Sequence, residues 1–157
     1  MIRTADISDA ENIAAIEQES FTHHPWTKAM FQSALADPLY TFYVYEQEGI
    51  LAGFACMKDA GEEAEIEYIA VAKPFRRRGI ATRLLNALIS ASVEKGAQAI
   101  FLEVGAQNLP AVALYEKHGF TRISVRKNYY GEGRDAFVYQ RILHKITHNA
   151  HRTMHNE

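Results

Sequence analysis

The sequence predicts an α/β (α+β) chain: a mixed sheet with helices on both faces. Three observations predict it. A hairpin-like pair of aromatic and β-branched segments, 40–45 and 50–57, follows two helical patterns. A strand, a basic turn and a helix then run without interruption over residues 66–90. Another strand, a short helix and two alternating segments follow, up to residue 143.

Taken in order, Ile2–Ala5 is a short first strand. Ser8 or Asp9 is placed to cap a helix running through Glu19, with Ile13, Ala14 and Ile16 on one face. A loop over 21–26 holds Pro25 and Trp26. Thr27 caps a second helix carrying Met30, Phe31 and Leu35, which ends at Asp37-Pro38. Glu48-Gly49 turns the strand Tyr40–Tyr45 into the strand Ile50–Met57, and Asp59–Glu63 is a polar loop. The continuous apolar end of Ile66–Val71 suggests a strand buried on both faces. After the basic turn, Ile80, Leu84, Leu85, Leu88 and Ile89 recur at helical spacing, and Gly96 closes that helix. Gln98–Val104 is a further apolar strand. Asn108 caps a short helix with Pro110 in its first turn, ending at His118-Gly119. Phe120–Val125 and Ala136–Leu143 alternate as an antiparallel pair, joined by 128–134.

The chain has 157 residues, which suits one domain over 1–143 followed by a polar tail, 144–157. That tail carries His144, His148, His151 and His155. Their spacing would put the last three on one side of a helix, where they could take a metal. A frayed tail without metal is the expectation. Hydrophobic residues at 48% and charged residues at 23% indicate a globular protein. A formal net charge of −2 gives no basic field for nucleic acid. The single cysteine, Cys56, excludes an internal disulfide and fits a reducing cytoplasm; a buried thiol is the expected role. Met1 leads straight into a charged strand pattern, so neither a signal peptide nor a membrane span is expected.

The strand–turn–helix stretch carries the first chemistry. A helix N-terminus presents unpaired N–H groups and the positive end of the dipole, and can hold a phosphate. Gly79 and Ala81 leave the backbone approachable, and Arg76, Arg77 and Arg78 add positive charge. The same features also suit a plain solvated turn. The glycine patterns of a dinucleotide fingerprint and of a P-loop are both absent.

Arg76 to Ala81 resembles the acyl-CoA signature Arg/Gln-x-x-Gly-x-Gly/Ala of the GNAT superfamily of N-acetyltransferases. It follows an Ile-Ala-Val strand and opens a helix, as that family requires. Leu102-Glu103-Val104, Asn108, Ala113-Leu114-Tyr115-Glu116 and Gly119-Phe120 are similar to the rest of the family's core. Asn128-Tyr129-Tyr130 is similar to the branch that acetylates the N-terminal alanine of ribosomal proteins, the RimI type. The resemblance spans about residues 2–143. It implies a mostly antiparallel sheet of six or seven strands, with the pair 65–71 and 100–104 splayed around the pantetheine arm. It also implies acetyl-CoA as co-substrate and no metal.

Acetyl transfer to an amine needs a base, an oxyanion donor and a proton for the thiolate. Glu103 stands in an apolar strand where packing does not call for a carboxylate. It is either the base or a salt-bridged strand-end carboxylate, and the resemblance favours the base. Glu67 is the second candidate, within the acidic run Glu62, Glu63, Glu65, Glu67, which could also be a solvated face or attract a cationic substrate. A tyrosine such as Tyr115 is more often a core aromatic; the resemblance makes it the proton donor. The resemblance also implies that Asn108 and the backbone of Ile69, Ala70 and Val71 hold the pantetheine arm, with Val71 N–H facing the oxyanion. The amides from Arg77 through Gly79, Ile80 and Ala81 to Thr82 would hold the pyrophosphate. Trp26, Glu67, Tyr68, Tyr129 and Tyr130 would flank the acceptor peptide. Two positions depart from the family: Gly105 where Arg is usual, and Tyr68 where Asn is frequent. Both lie on the acceptor side. The leading expectation is a cytoplasmic enzyme acting on a ribosomal-protein N-terminus, with no nucleic-acid or membrane partner. The alternatives are a GNAT enzyme for a small amine or lysine, and an acyl-CoA-binding sensor without turnover.

Overall fold

The computed structural model describes residues 1–20 and 25–143; Phe21–His24 and the histidine-bearing tail 144–157 lie outside the described residues. Among the described residues, seven strands and four α-helices follow in the order β1 (Ile2–Thr4), α1 (Ala10–Ser20), α2 (Lys28–Ala36), β2 (Tyr40–Gln47), β3 (Ile50–Ala60), β4 (Glu63–Val71), α3 (Ile80–Glu94), β5 (Ala99–Gly105), α4 (Leu109–Lys117), β6 (Thr121–Arg126) and β7 (Ala136–Ile142). The strands hydrogen-bond in the order β1-β2-β3-β4-β5-β7-β6. The pairings of β1 with β2, β2 with β3, β5 with β7 and β6 with β7 are all antiparallel. The chain packs as two compact units, Met1–Asp59 with Ile66–Ile89, and Ala60–Glu65 with the chain from Ser90 on.

In the first unit, the α1 cap lies earlier than Ser8 or Asp9. Asp6 caps a 3-10 turn, Ile7–Asp9, that runs into α1, and the Asp9 carboxylate accepts the Asp6 N–H at 2.9 Å as the other half of a capping box. Asp9 is thus turned back toward Asp6 and Arg3, which binds both its oxygens at 2.8 Å, rather than forward as the cap. That guanidinium holds the Asp9 carboxyl below its ordinary range. Thr27 caps α2 through the Met30 N–H, as expected. Phe31, Phe42 and Phe54 stack edge to face in the core, beside buried Ile13, Ile16, Val44 and Cys56. The hairpin turn at Glu48-Gly49 takes positive φ at both residues, 52° and 78°. β4 alternates in burial instead of being covered on both faces. Ala64, Ile66 and Ala70 are buried, while Glu67, Ile69 and Val71 stay half-exposed. The five apolar residues at helical spacing in α3 are all buried. α3 reaches β3 because position 53 has no side chain. A Cβ on Gly53 would lie 2.9 Å from the Ala70 carbonyl oxygen and 3.3 Å from both Ile80 Cγ2 and Leu84 Cδ1.

In the second unit, β7 lies between β5 and β6, so the last strand enters the sheet and β6 becomes its edge. Ile100, Leu102 and Val104 point into the core with Phe120 and Tyr139, leaving Phe101, Glu103 and Gly105 on the half-exposed face. This period-2 register explains a carboxylate in an apolar strand, since position 103 is not a core position. Tyr139, fully buried, satisfies its hydroxyl by donating to Glu116 at 2.7 Å.

Candidate active site

The strand–turn–helix stretch over residues 66–90 begins in the first unit. After β4 comes a 3-10 turn, Lys73–Phe75, with Pro74 where a missing N–H costs nothing. This turn is tied to the end of α1. The Lys73 N–H donates to the Glu19 carboxylate at 2.9 Å, and Arg76 Nη2 donates to Ser20 Oγ at 3.3 Å. Arg76 Nε also donates to the Val71 carbonyl at 2.9 Å. The three arginines are therefore not equivalent. All three are exposed, but Arg76 braces the turn against its own protein, and Arg78 lies over the Phe75 ring at 5.5 Å.

Arg77 at φ 66° and Gly79 at φ 79° bend the chain through the left-handed region just before α3. The Gly79 carbonyl then accepts the Arg83 N–H at 3.1 Å, the first bond of the helix. Ile80, Ala81 and Thr82 hence have no acceptor for their N–H groups within the helix. No acidic side chain stands in that first turn, so nothing in it compensates the positive end of the dipole. A Cβ placed on Gly79 would meet nothing within 4 Å. Open space faces the turn, as a diphosphate requires. Half-exposed Ile69 and Val71 leave an apolar strand face before it. These residues fit the diphosphate and arm of an acyl-CoA.

The first unit also holds Trp26, Glu67 and Tyr68. Trp26 lies edge-on to Tyr68, with ring centres 5.2 Å apart, and near Phe31 at 5.3 Å. Both rings are half-buried. Glu67 is half-exposed on β4, and its charge adds to the burial that pushes the Cys56 thiol up. Behind Tyr68 is a residue the sequence reading passed over. Glu17 lies seven positions after Ala10, four after Ile13 and three after Ala14, on the buried stripe of α1. It is fully buried, and burial raises its pKa from the ordinary 4.5 to about 7. The helical spacing of Glu17 was the available signal.

The second unit holds the remaining candidates. Glu103 pairs with Val138 across the sheet, and Arg126 Nε stands 3.2 Å from Glu103 Oε1. The Tyr129 hydroxyl also bonds to Glu103, which pushes the phenol's pKa up. The surface ion pair held open from the sequence is thus present, on a carboxylate 19% exposed against a guanidinium 54% exposed. A hollow of about 210 Å³ opens beside Glu103, lined also by Glu63, Glu65, Phe101 and Arg126. Three carboxylates around one hollow suit a cationic ligand. Arg126 is another residue the sequence reading did not single out.

Tyr115 is buried on α4, its ring edge-on to Phe120 at 5.7 Å. Burial, and secondarily Tyr130, push its pKa well above the phenol value, so the hydroxyl keeps its proton throughout the working range. Asn108 caps α4, its Oδ1 accepting the Ala111 N–H at 3.3 Å. Its side-chain NH2 is the donor end that capping leaves over. The loop after β6 is closed on itself. Asp135 accepts the Asn128 N–H at 3.0 Å and pairs with Lys127 at 3.2 Å, and Asn128 Oδ1 accepts the Gly133 N–H at 2.8 Å. This presents the Tyr129 and Tyr130 rings, 5.0 Å apart, as a formed surface. A Cβ on Gly105 would touch the Tyr130 ring at 3.8 Å. The Tyr130 ring thus lies within van der Waals reach of the end of β5.

Among the described residues no three His, Cys, Asp or Glu side chains gather as a metal site, and no helix is long and apolar enough to cross a membrane.

The acetyltransferase (GNAT) family matches over residues 8–120. The ribosomal protein bS18-alanine N-acetyltransferase of Escherichia coli is 33% identical over 129 residues, covering 82% of this chain and 86% of that protein. An N-alpha-acetyltransferase of Sulfolobus acidocaldarius is 30% identical over 87% of this chain and 89% of its own length. The crystal structure of the Escherichia coli ribosomal-protein-S18-alanine enzyme superposes with a TM-score of 0.82 at 32% identity, over 90% of this chain and 92% of that one. That of Ard1 from Thermoplasma volcanium gives 0.84 at 30%, over 91% and 97%. With the strand, the glycine turn and the helix end standing where an acyl-CoA needs them, the chain belongs to the acetyltransferase (GNAT) family and is an acetyl-CoA-dependent N-acetyltransferase.

Proposed function

We propose that this protein acetylates the N-terminal α-amine of a ribosomal protein beginning with Ala, in the cytoplasm, with residues 1–143 working as one acetyltransferase domain. One observation carries the proposal: the Escherichia coli relative that matches over 82% of this chain is a ribosomal protein bS18-alanine N-acetyltransferase. The paired rings of Tyr129 and Tyr130 and the half-buried Trp26 suit a peptide flanked by aromatics. The carboxylates Glu63, Glu65 and Glu103 around one hollow suit its positive charge.

The roles follow from the chemistry. Bound acetyl-CoA supplies an activated acetyl thioester. The amides from Arg77 to Thr82 hold its diphosphate, with Arg77 and Arg78 outside and Arg76 keeping the turn in shape. The backbone of Ile69, Ala70 and Val71 and the Asn108 amide hold the arm, and the Val71 N–H faces the carbonyl oxygen where charge develops. Glu103 takes a proton from the acceptor nitrogen, and Tyr115 donates one to the leaving sulfur.

The test is thiol release from acetyl-CoA with a panel of acceptors. A peptide with a free N-terminal Ala is expected to turn over, and blocking its N-terminus should abolish the reaction. An N-blocked, lysine-bearing peptide or a polyamine reacting as well would replace the α-amine reading with that of a lysine or small-amine enzyme. Acetyl-CoA binding without turnover of any acceptor would point to a sensor.

A further inference from the structure

Glu17 is left unused by the roles above. It occupies a core position of α1, fully buried, and neither carboxylate oxygen meets a partner at ordinary hydrogen-bonding geometry among the described residues. The Trp26 backbone and the Tyr68 hydroxyl lie close enough to hold its pKa down somewhat, against the larger effect of burial. Among the described residues, the other groups around it bring no positive charge. From β3 comes the Cys56 thiol, kept neutral by burial. From β4 comes Tyr68, also kept neutral, with Glu67 adding negative charge beside it. α2 carries one charged residue, Lys28, which is exposed. The 3-10 turn carries Asp9, which is already bound to Arg3.

A buried carboxylate without a cation is costly, and an apolar residue would fit the same stripe at no such cost. What singles the site out is its connection outward. Tyr68 is half-exposed, its hydroxyl bears on Glu17 and its ring borders Trp26. The phenol therefore stands between the half-exposed face of β4 and a carboxylate that has no positive partner among the described residues.

We infer that the Glu17–Tyr68 pair receives the proton that the substrate's α-ammonium must shed before it can attack. Tyr68 touches the amine, and Glu17 is a positioning residue that acts through it. The inference rests on the α-amine reading above. The step balances. The Tyr68 hydroxyl first closes onto Glu17; the ammonium N–H then gives its proton to the Tyr68 oxygen while the Tyr68 O–H proton passes to a Glu17 oxygen. The amine becomes neutral, the carboxylate becomes a carboxylic acid, and the phenol is regenerated. No bond to carbon changes. After turnover the Glu17 proton returns to solvent by the same hydroxyl. Acetylation takes two protons from the nitrogen; this pair takes the first, and Glu103 takes the second as the C–N bond forms. Proton affinities support the assignment. Glu17 at about 7 lies roughly a unit below an α-ammonium at about 7.7–8.0, whereas a lysine ammonium at about 10.4 lies more than three away.

The experiment measures kcat/KM for a free N-terminal Ala peptide from about pH 5.5 to 9.5, with acetyl-CoA affinity beside it, in wild type, Glu17→Gln, Tyr68→Phe and Glu103→Gln. Glu17→Gln keeps the shape and removes a buried charge, so the variant folds. Glu17→Gln and Tyr68→Phe are both expected to lose tenfold or more near pH 6.5 and to approach wild type above pH 9, where the amine is already neutral. Acetyl-CoA affinity should stay at the wild-type value. Glu103→Gln should be equally impaired at both ends. A wild-type pH profile in Glu17→Gln, or recovery at high pH in Glu103→Gln alone, overturns the inference, because the first proton then goes elsewhere. A Tyr68→Phe profile like wild type overturns the relay. If wild type itself prefers lysine or a small amine, the α-amine reading fails separately, in the wild-type arm. The variant profiles, repeated with that amine, then still decide the role of Glu17.

Discussion

Tyr115 and Glu103 differ in their surroundings, the one buried in the core and the other half-exposed beside Arg126. Burial keeps the Tyr115 phenol protonated throughout the working range, so the hydroxyl stands in its donor form when the sulfur leaves. Tyr115→Phe keeps the packing on Phe120 and loses only the hydroxyl. Its kcat is expected to fall about 10²-fold, with melting temperature and acetyl-CoA affinity nearly unchanged; an unaltered rate would make Tyr115 a core aromatic only. Glu103 has an ion pair with Arg126 that offers a competing explanation for any loss. Exposed pairs of this kind are worth about 1 kcal/mol or less. Arg126→Gln therefore separates the two roles. It should leave kcat within a few-fold of wild type, while Glu103→Gln lowers it about 10²-fold. Equal defects in the two variants would reduce Glu103 to the anchor of an ion pair.

The site's elements depend on two glycines for different reasons. Gly79 takes a positive φ and faces open space, so a side chain there strains the turn and projects toward the bound anion. Gly79→Asp adds a negative charge as well. By analogy with other partly buried helix termini, it should weaken acetyl-CoA binding by about 2 kcal/mol, measured by calorimetric titration. Gly53 instead carries the approach of α3 to β3 and β4. Gly53→Ala drives a methyl against the Ala70 backbone oxygen, which cannot swing aside as a side-chain end would. The expected cost is about 1–3 kcal/mol, seen as a lower melting temperature. Acetyl-CoA affinity should fall with it, because Ile80 begins the helix that the methyl pushes away. Stability lost with full affinity would show that the α3 terminus is set from elsewhere.

At the scale of the whole molecule, Glu17 makes folding depend on pH in an unusual direction. Its pKa is higher in the folded than in the unfolded chain, so the native state binds the proton more tightly. Its contribution to stability is largest below about pH 4.5. Stability falls as pH rises toward 7 and levels off above it, by about 3 kcal/mol for a rise from 4.5 to about 7. Asp9, held low by Arg3, has the opposite sign but acts only below its ordinary 3.8. Glu17→Gln should therefore melt higher than wild type at pH 8, with the gap closing toward pH 4.5. Equal melting temperatures at pH 8 would mean that Glu17 is ionised at no cost.

The sequence by itself determined the strands and helices that carry the site. Their signals are local: Ile80, Leu84, Leu85, Leu88 and Ile89 repeat at helical spacing, Thr27 and Asn108 cap, and Glu48-Gly49 turns. The glycine turn before α3 was legible for the same reason, because Gly79 and the first helical amides lie within a few residues of each other. Local pattern could not tell which face of a strand is covered. The apolar run ending in Val71 reads as doubly buried, yet β4 alternates, since coverage depends on what packs against each face. Nor could it place β7 between β5 and β6, because antiparallel pairing of β6 with β7 leaves open which of them meets β5. Three pairings were settled only in the tertiary structure: Arg126 with Glu103, Tyr130 over Gly105, and Tyr68 before Glu17. Each joins residues more than twenty positions apart. For Glu17 the spacing along α1 already marked a core position, but its charge argued for a solvent face. Only the packing of β3 and β4 over that stripe decided that the charge is buried.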